Sequence, residues 1–413
     1  MIPILSLLSI VIAITIGFWK NINVGLIALV FSLIIGYYLG GIPVNTIIGF
    51  WPVKLFFTTV GITLLFSIAK LNGTLEKISK TIIAQSRGRK VLLPIIFYFL
   101  ALVIASVGPG NISTSALLLP IGLVIAYRAN VSILMMATLI ITGSIAGGLS
   151  PLAPNGIVAL DLAASNGVGD LGFNIYMMNV IAMTVFSAII FLVLGGLKYR
   201  GEKIEVEKAG QFTKHQIITL VSIFLLIVWV IVGGINVGFA AITFSVLLLI
   251  IGAADQNEAI SGIPWSTLLL ICGTAVLISV VNEVGGVTLL KDFLASLMNN
   301  VTAVPIMSLL AGMMSIFSSA VGVVMPTLIP TTVSLSAELN NVVSPALLTV
   351  TIAVASHIVT MSPFSTMGAL ALASAPAMVD KKALFKNLFI VAFSSLAFIA
   401  IFLGIVASFG YLN

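Results

Sequence analysis

The sequence predicts an all-α polytopic membrane protein made of two inverted repeats, each with five transmembrane helices and one re-entrant helical hairpin. Of the 413 residues, 60% are hydrophobic and only 7% are charged, whereas a soluble domain carries about 25% charged residues. Long apolar stretches recur along the whole chain, and its second half resembles its first. This composition disfavours a cytosolic enzyme, a nucleic-acid-binding protein and a disordered scaffold.

The apolar stretches have the length of a bilayer crossing, which takes about 20 residues of helix. Their apolar runs are continuous and lack the period-two alternation of a transmembrane strand, so helices are predicted. Ten uninterrupted crossings are expected near residues 2–18, 23–40, 52–71, 132–149, 176–198, 216–233, 235–252, 264–282, 342–360 and 385–408.

Two further apolar pairs, near residues 91–126 and 301–336, are each broken in the middle. In the first break, Pro109 ends one helix, the flanking glycines permit a sharp reversal, and Asn111 or Ser113 can cap the next helix. Each pair is predicted to be a re-entrant hairpin. Two full crossings joined by an ordinary turn remain the alternative, because they leave the parity of crossings unchanged.

The second half repeats the first at an offset of about 212 residues. Asn23–Gly25 recurs as Asn236–Gly238, and Ser150–Gly156 aligns with Ser362–Gly368. Ordered glycine, proline and asparagine matches at one offset do not arise from apolar composition alone. The predicted organisation is repeat 1 at 1–200 (scaffold helices 2–71, hairpin 91–126, broken helix 132–163, helix 176–198), a linker at 201–215, and repeat 2 at 216–413 (scaffold helices 216–282, hairpin 301–336, broken helix 342–374, helix 385–408).

Positive charge predicts the orientation, because Lys and Arg accumulate in short cytoplasmic loops. Alternating the crossings puts 72–90 and 198–215 in the cytoplasm and 161–175 and 336–341 outside, with only Lys54 and Lys291 on the outer side. Five crossings per repeat is an odd number, so the second repeat is inverted. Inverted repeats with broken helices are typical of secondary transporters, whose site lies near the bilayer midplane where the interruptions meet.

The Ser-Pro elements at Ser150-Pro151 and Ser362-Pro363 are a second kind of interruption. Proline and glycine free backbone carbonyls that need partners other than the helix itself. The neighbouring Asn155, Ser365 and Thr366 favour a substrate or cation site at membrane depth. A kink in a packed helix is the alternative.

Charged side chains are missing from the middle of every predicted crossing. A carboxylate proton relay, a soft-metal exporter and a paired-aspartate protease are therefore disfavoured. The single cysteine, Cys272, is expected to pack within a helix bundle and to have no chemical role. His357 is the one ionisable group predicted within a span, and it either tunes the site or makes a structural hydrogen bond. A bound anion would be held by helix N-termini, hydroxyls and amides, with sodium on carbonyl and hydroxyl oxygens.

The chain resembles the MatC-type malonate and dicarboxylate carriers of the ion transporter superfamily, which includes the divalent anion:sodium symporters. The resemblance lies in Asn23–Gly25, in the tip at Gly108–Asn111 and in the element Ser150–Gly156. It implies a homodimer in which scaffold domains hold the dimer and transport domains move as elevators. In the symporters, a Ser-Asn-Thr tip on each hairpin grips the substrate carboxylates beside a sodium ion.

The first tip of this chain has Gly110 and Ile112 where that motif has Ser and Thr, and the second tip has no Asn. The residues themselves and the resemblance together indicate two sets of ligands. Substrate is expected at Asn111, Ser113, Ser150, Pro151, Asn155, Ser319, His357, Ser362, Pro363, Ser365 and Thr366, and sodium at Ser106, Gly110, Asn111, Leu149, Ser318, Ser319 and Met361.

The predicted function is sodium-coupled symport of a small carboxylate, such as the dicarboxylates malonate or succinate, by an elevator mechanism in a bacterial inner membrane. The expected partners are the carboxylate, sodium as coupling ion, membrane lipid and a second copy of the chain, with no cofactor and no nucleic acid. Proton coupling through His357 is the alternative within transport. A membrane enzyme with Ser113 as nucleophile and His357 as base is the alternative outside it.

Overall fold

The computed structural model describes residues 1–20, 22–84, 89–202, 210–233, 235–317, 319–363 and 365–412. Within these ranges the chain is helical and contains no β-strand, which confirms the predicted all-α class. The chain is a multi-pass membrane protein. Six helical segments are long and apolar enough to cross a bilayer: Gly110–Arg128, Gly172–Val193, Trp265–Glu283, Ala320–Glu338, Pro345–Ser374 and Lys381–Ser408.

Helices of the first half follow the predicted order, with breaks at the expected places. The first broken pair turns at residues 108–109, and the first Ser-Pro element separates two helices. The bounds are α1 Ile2–Lys20, α2 Val24–Ser32 with a π-helical continuation Leu33–Leu39, α3 Val44–Gly49, α4 Val53–Leu71, α5 Thr74–Ala84, α6 Leu92–Val107, α7 Gly110–Arg128, α8 Ile133–Gly148, α9 Pro154–Ser165, α10 Gly172–Val193 and a 3₁₀ turn Gly196–Tyr199.

Helices of the second half follow the same order, with a more irregular hairpin. Its second arm starts as a π-helical turn and contains a short 3₁₀ segment, Ile329–Thr331. The bounds are α11 Lys214–Gly233, α12 Val237–Ile250, α13 Gln256–Ser261, α14 Trp265–Glu283, α15 Gly286–Leu297, α16 Ala303–Phe317, the π turn Ala320–Val324, α17 Met325–Leu328, α18 Thr332–Glu338, α19 Pro345–Ile358, a 3₁₀ turn Val359–Met361, α20 Thr366–Ser374 and α21 Lys381–Ser408.

Four short helices, α3, α5, α13 and α15, lie between the predicted crossings. Hydropathy does not reveal them because they are too short or too polar to span a membrane. α15 connects to the second hairpin by charge: Lys291 Nζ lies 2.6 Å from Asp292 Oδ1 and 2.7 Å from Glu338 Oε1. These two carboxylates raise the pKa of Lys291.

At two places, a helix of the first half packs closely against a helix of the second half at a pair of glycines. A Cβ at Gly273 of α14 would lie 2.2 Å from Gly25 O of α2, and a Cβ at Gly61 of α4 would lie 2.5 Å from Gly238 O of α12. The side chains of Asn23 and Asn236 cap α2 and α12 in the same way. Equivalent positions in the aligned halves therefore make equivalent contacts.

Buried apolar side chains form one large cluster and several small ones. The large cluster draws mainly on α6–α10 and α16–α21, the hairpins and broken helices. The small clusters draw on α4, α11 and α12 at one place and on α1, α2 and α14 at another. Most buried apolar side chains of the predicted scaffold helices thus belong to clusters other than that of the hairpins and broken helices, although Leu55 and Ile271 join the large cluster and Val323 joins a small one.

The two close helix–helix contacts predict which glycines tolerate a methyl group. Gly273→Ala forces a methyl against backbone, so we expect a loss of about 1–3 kcal/mol of unfolding free energy and a lower Tm for detergent-purified protein. Gly49→Ala is the matched control, because a Cβ at Gly49 meets nothing within 4 Å. Equal Tm values for the two variants would contradict the close crossing.

Candidate functional site

A cavity of about 480 Å³ lies where the two hairpin tips and the two helix breaks meet. We name it the site cavity. The starts of α7, α9 and α20 contribute Asn111, Asn155 and Thr366, and helix N-termini carry partial positive charge. Its lining, among the described residues, consists of Asn111, Ile112, Asn155, Thr267, Leu270, Ser315, Ile316, Ser319, Ala320, Val321, His357, Thr360, Ser365, Thr366 and Met367.

The first tip differs from the expected capping arrangement. α7 begins at Gly110, one residue before Asn111, and no side chain caps it. The prediction that Asn111 or Ser113 caps this helix is wrong, because the helix starts too early in the chain for either to precede it. Gly110 has φ +73°, a conformation that favours glycine. Asn111 therefore stands within the first turn, where its amide is available to the site.

A hydrogen-bonded chain of three buried side chains joins the two halves. The Asn155 amide nitrogen donates to Asn111 Oδ1 at 3.0 Å and lies 3.0 Å from His357 Nε2. Asn111 and Asn155 belong to the first half of the chain and His357 to the second. The amide of Asn155 thus links the first tip, the first break and the end of α19.

The backbone fixes the roles of these atoms. Ile112 N–H donates to Asn111 Oδ1 at 3.0 Å, so this atom of Asn111 is the oxygen. The Asn155 atom that faces it must then be the NH₂ group, which donates its second hydrogen to His357 Nε2. His357 consequently accepts at Nε2 and carries its proton on Nδ1, as a neutral ring. His357 Nδ1 is buried and has no hydrogen-bond partner among the described residues.

Gly148 makes room for this chain at the end of α8. A Cβ there would lie 3.2 Å from the Asn111 Cβ and 3.4 Å from His357 Nε2. At these distances a neighbour has to shift by a few tenths of an ångström. A side chain at Gly148 would therefore press against Asn111 and contact the imidazole of His357.

The second tip and break are held by hydroxyl groups. The Ser319 hydroxyl accepts from Gly322 N–H at 3.0 Å and starts the π turn. The Ser365 hydroxyl donates to the carbonyls of Thr360 and Ser362, and the Thr360 hydroxyl donates to His357 O at 2.6 Å. Some of the backbone carbonyls that the sequence analysis expects to bind a ligand therefore accept hydrogen bonds from the chain itself.

Six predicted substrate residues come together around the site cavity: Asn111, Asn155, Ser319, His357, Ser365 and Thr366. Ser106 is engaged elsewhere, because it donates to Leu102 O and lies 2.8 Å from the Tyr176 hydroxyl. Ser318 lies outside the described residues. The other predicted ligands do not line this cavity, although they belong to the same tips and breaks: Ser106, Gly110, Ser113, Leu149, Ser150, Pro151, Met361, Ser362 and Pro363.

Ser113 and His357 lie on different cavities. Ser113 lines a cavity that adjoins α4 and α13, whereas His357 lines the site cavity. The nucleophile–base pair that the enzyme hypothesis needs is not formed in this arrangement.

The sequence prediction misses two buried polar residues of the site region. Ser315 lines the site cavity, and its hydroxyl has no hydrogen-bond partner among the described residues. The spacing contains a signal for it, because Ser315 precedes Ser319 by four residues as Ser106 precedes Gly110. The Asn179 amide donates to Ile145 O at 2.7 Å and Ala146 O at 3.0 Å. The only signal for Asn179 is an amide inside an apolar helix.

The hydrogen-bonded chain predicts a stability cost for Asn155→Leu. This change leaves His357 Nε2 buried without a donor, and an unsatisfied buried group costs about 1–3 kcal/mol. Thermal unfolding of purified protein measures the loss. Asn166→Leu is the control, since Asn166 is less buried and its amide bonds only to its own helix and to Ser165. An equal loss in both variants would contradict the central role of Asn155.

Comparisons with known proteins show what this chain is similar to. Residues 1–148 match the family described as the dicarboxylate carrier protein MatC N-terminus. A comparison with curated protein sequences gives no match. The crystal structure of the YdaH transporter from Alcanivorax borkumensis is similar in fold, with a TM-score of 0.61 at 13% identity, over 91% of this chain and 89% of that one. The chain therefore resembles the MatC-type dicarboxylate carriers in its N-terminal third, as its motifs predict, and shares its overall fold with the YdaH transporter.

Proposed function

We propose that the protein is a secondary transporter that carries a small dicarboxylate, such as malonate or succinate, together with sodium. The family match and the transporter fold support carriage of a carboxylate. The observation that carries the proposal is the site cavity, whose described lining consists of amides, hydroxyls, a neutral imidazole and apolar groups. Such a lining can hold an anion without reacting with it.

A dianion in this cavity needs positive charge from a source other than Lys or Arg. The N-termini of α7, α9 and α20 provide part of it, each worth about 0.3–1 kcal/mol at exposed sites and more when partly buried. Their first N–H groups lack partners within their own helices and can donate to carboxylate oxygens. In our proposal, sodium provides the rest of the positive charge. Binding of the dianion and binding of sodium are then coupled, because each balances the charge of the other.

Sodium is proposed to bind beside the tips, on neutral oxygens. The Ser315 hydroxyl is buried and unpaired at one turn from Ser319, which suits a cation ligand at the second tip. Among the described residues, no group of three or more His, Cys, Asp or Glu side chains offers a site for a transition metal. Hydroxyl and carbonyl oxygens are ligands that hard cations use.

Neutral His357 supports sodium rather than proton coupling. Protonating Nε2 would put an N–H against the Asn155 NH₂ and break the bond between them. We propose that His357 sets the position of Asn155, and that the proton is not the coupling ion.

The proposed mechanism is an elevator within a homodimer. Most buried apolar side chains of the scaffold helices lie in clusters distinct from that of the hairpin helices, which supports relative movement of two bodies. The first tip touches the break between α8 and α9, through Gly110 and Pro154, which supports a hairpin that reverses inside the membrane. We further propose that the two halves are inverted repeats and that the protein lies in a bacterial inner membrane.

Uptake by proteoliposomes tests the coupling. An inward sodium gradient should drive accumulation of labelled malonate or succinate, because the site holds a dianion only with added cations. His357→Gln should lower rate or affinity while sodium dependence persists. Sodium-independent uptake that collapses with an uncoupler would favour the proton-coupled carrier. Chemical conversion of the recovered substrate would favour an enzyme.

Binding measurements test the site. Asn111→Ala removes a charge-assisted hydrogen bond or a metal ligand, worth about 1.5–3 kcal/mol, so affinity should fall roughly ten- to hundredfold. Ser32→Ala and Ser245→Ala are matched controls, because each buried hydroxyl bonds only to a carbonyl of its own helix. If these controls weaken binding as much as Asn111→Ala, the site has been assigned to the wrong helices.

Sided labelling tests the orientation. In a Cys272→Ser background, a cysteine at Lys80 should react with an impermeant maleimide only from the cytoplasm, and a cysteine at Asn340 only from outside. The Lys and Arg asymmetry gives this expectation. External labelling at position 80 would overturn the topology.

A further inference from the structure

A second cavity, of about 290 Å³, lies on the other side of the first hairpin. We name it the Lys70 cavity. It is bounded by α4, by α13 and by the start of α7, and it shares none of its lining residues with the site cavity. Pockets for drug-sized ligands have roughly 300–1,000 Å³, so this volume suits a small molecule. The polar and charged lining residues are Thr63, Ser67, Lys70, Ser113, Glu258 and Ser261.

One helical turn forms the wall between the two cavities. Asn111 and Ile112 of α7 line the site cavity, whereas Pro109 and Ser113 line the Lys70 cavity. Successive residues of an α-helix point about 100° apart, so Asn111 and Ser113 face in nearly opposite directions. The first turn of α7 is therefore shared by the two cavities.

The scaffold side of the Lys70 cavity is a polar stripe on an apolar helix. Thr63, Ser67 and Lys70 are spaced i, i+4 and i+7 on α4, which places them on one face. The Thr63 hydroxyl donates to Thr59 O at 2.8 Å in its own helix. The hydroxyls of Ser67 and Ser113 make no hydrogen bond with the described residues, so they remain available to a ligand or to water.

Two opposite charges line the Lys70 cavity without pairing. The described residues contain no ion pair between Lys70 and Glu258, although both line it. An anion there would be attracted by the Lys70 ammonium and repelled by the Glu258 carboxylate. The hydroxyls of Ser67 and Ser113 are positioned to donate to its oxygens.

We propose that the Lys70 cavity is a staging site for the carboxylate substrate, between the site cavity and the membrane face at which Lys70 lies. This inference rests on the proposed function. Lys70 attracts the anion, Ser67 and Ser113 bind it, and movement of the first turn of α7 passes it between the two cavities. Glu258 opposes its residence and keeps the staging site weak, so the substrate leaves it readily.

Opposite effects of neutralising the two charges test the proposal. Transport is measured in sided proteoliposomes with dicarboxylate supplied at the Lys70 face. At low ionic strength, Lys70→Gln should slow the initial rate about three- to tenfold, and Glu258→Gln should raise it about two- to threefold, because local charge changes the encounter rate. Both effects should shrink in high salt, which screens charges. Lys70→Arg should retain the wild-type rate.

Lys214→Gln is the control, since Lys214 does not line the Lys70 cavity. Its rate should stay within twofold of wild type. Equal effects of the Lys70, Glu258 and Lys214 variants, or effects of the same sign for Lys70→Gln and Glu258→Gln, would overturn the proposal.

A labelling experiment covers the case in which Lys70→Gln fails to fold. A single cysteine at Ser113, in the Cys272→Ser background, should react with an impermeant maleimide from the Lys70 face. Malonate should slow this reaction even when Asn111→Ala has weakened the site cavity. Absence of protection in that double variant would overturn the staging site, whereas a wild-type protein that transports no carboxylate would contradict the proposed function itself.

Discussion

The absence of water in the bilayer interior is the constraint on which the structure depends. Every backbone group released by a helix break must be satisfied by the protein or by a bound solute. The chain interrupts two helices and two helical pairs, at positions predicted to lie at membrane depth, and it brings these interruptions together. At the first break, the Asn179 amide donates hydrogen bonds to two carbonyls near the end of α8. At the second break, the Ser365 hydroxyl donates to the carbonyls of Thr360 and Ser362.

The two halves solve this problem with different side chains. Gly156 and Gly368 lie equally close to the carbonyls of Ser150 and Ser362, where a Cβ would come within 1.9 and 2.1 Å. The backbone of the two breaks is therefore alike. The polar groups of the two breaks and tips differ, since the first half of the chain presents the amides of Asn111 and Asn155, whereas the second half presents hydroxyls and His357. A carboxylate would thus meet two chemically different walls.

The sequence predicts the elements well because their signals are local. Apolar length predicts the crossings, and Pro109 and the Ser-Pro pairs predict the breaks to within a few residues. Asn179, Tyr176 and Ser315 escape prediction because their roles depend on which helix lies opposite. The role of Asn111 is also tertiary, since its amide bonds to Asn155 rather than capping α7. The amphipathic connecting helices α5 and α15 are not predicted either, because a hydropathy analysis detects only segments that cross the membrane.

The central claim is that the site cavity holds a dicarboxylate together with sodium. Reciprocal binding to purified protein tests it most directly, because thermodynamic linkage requires each solute to raise the affinity for the other by the same factor. Saturating sodium should lower the Kd for labelled malonate or succinate at least about fivefold, and a saturating dicarboxylate should lower the sodium Kd equally. A dicarboxylate Kd that is the same with and without sodium would contradict the account.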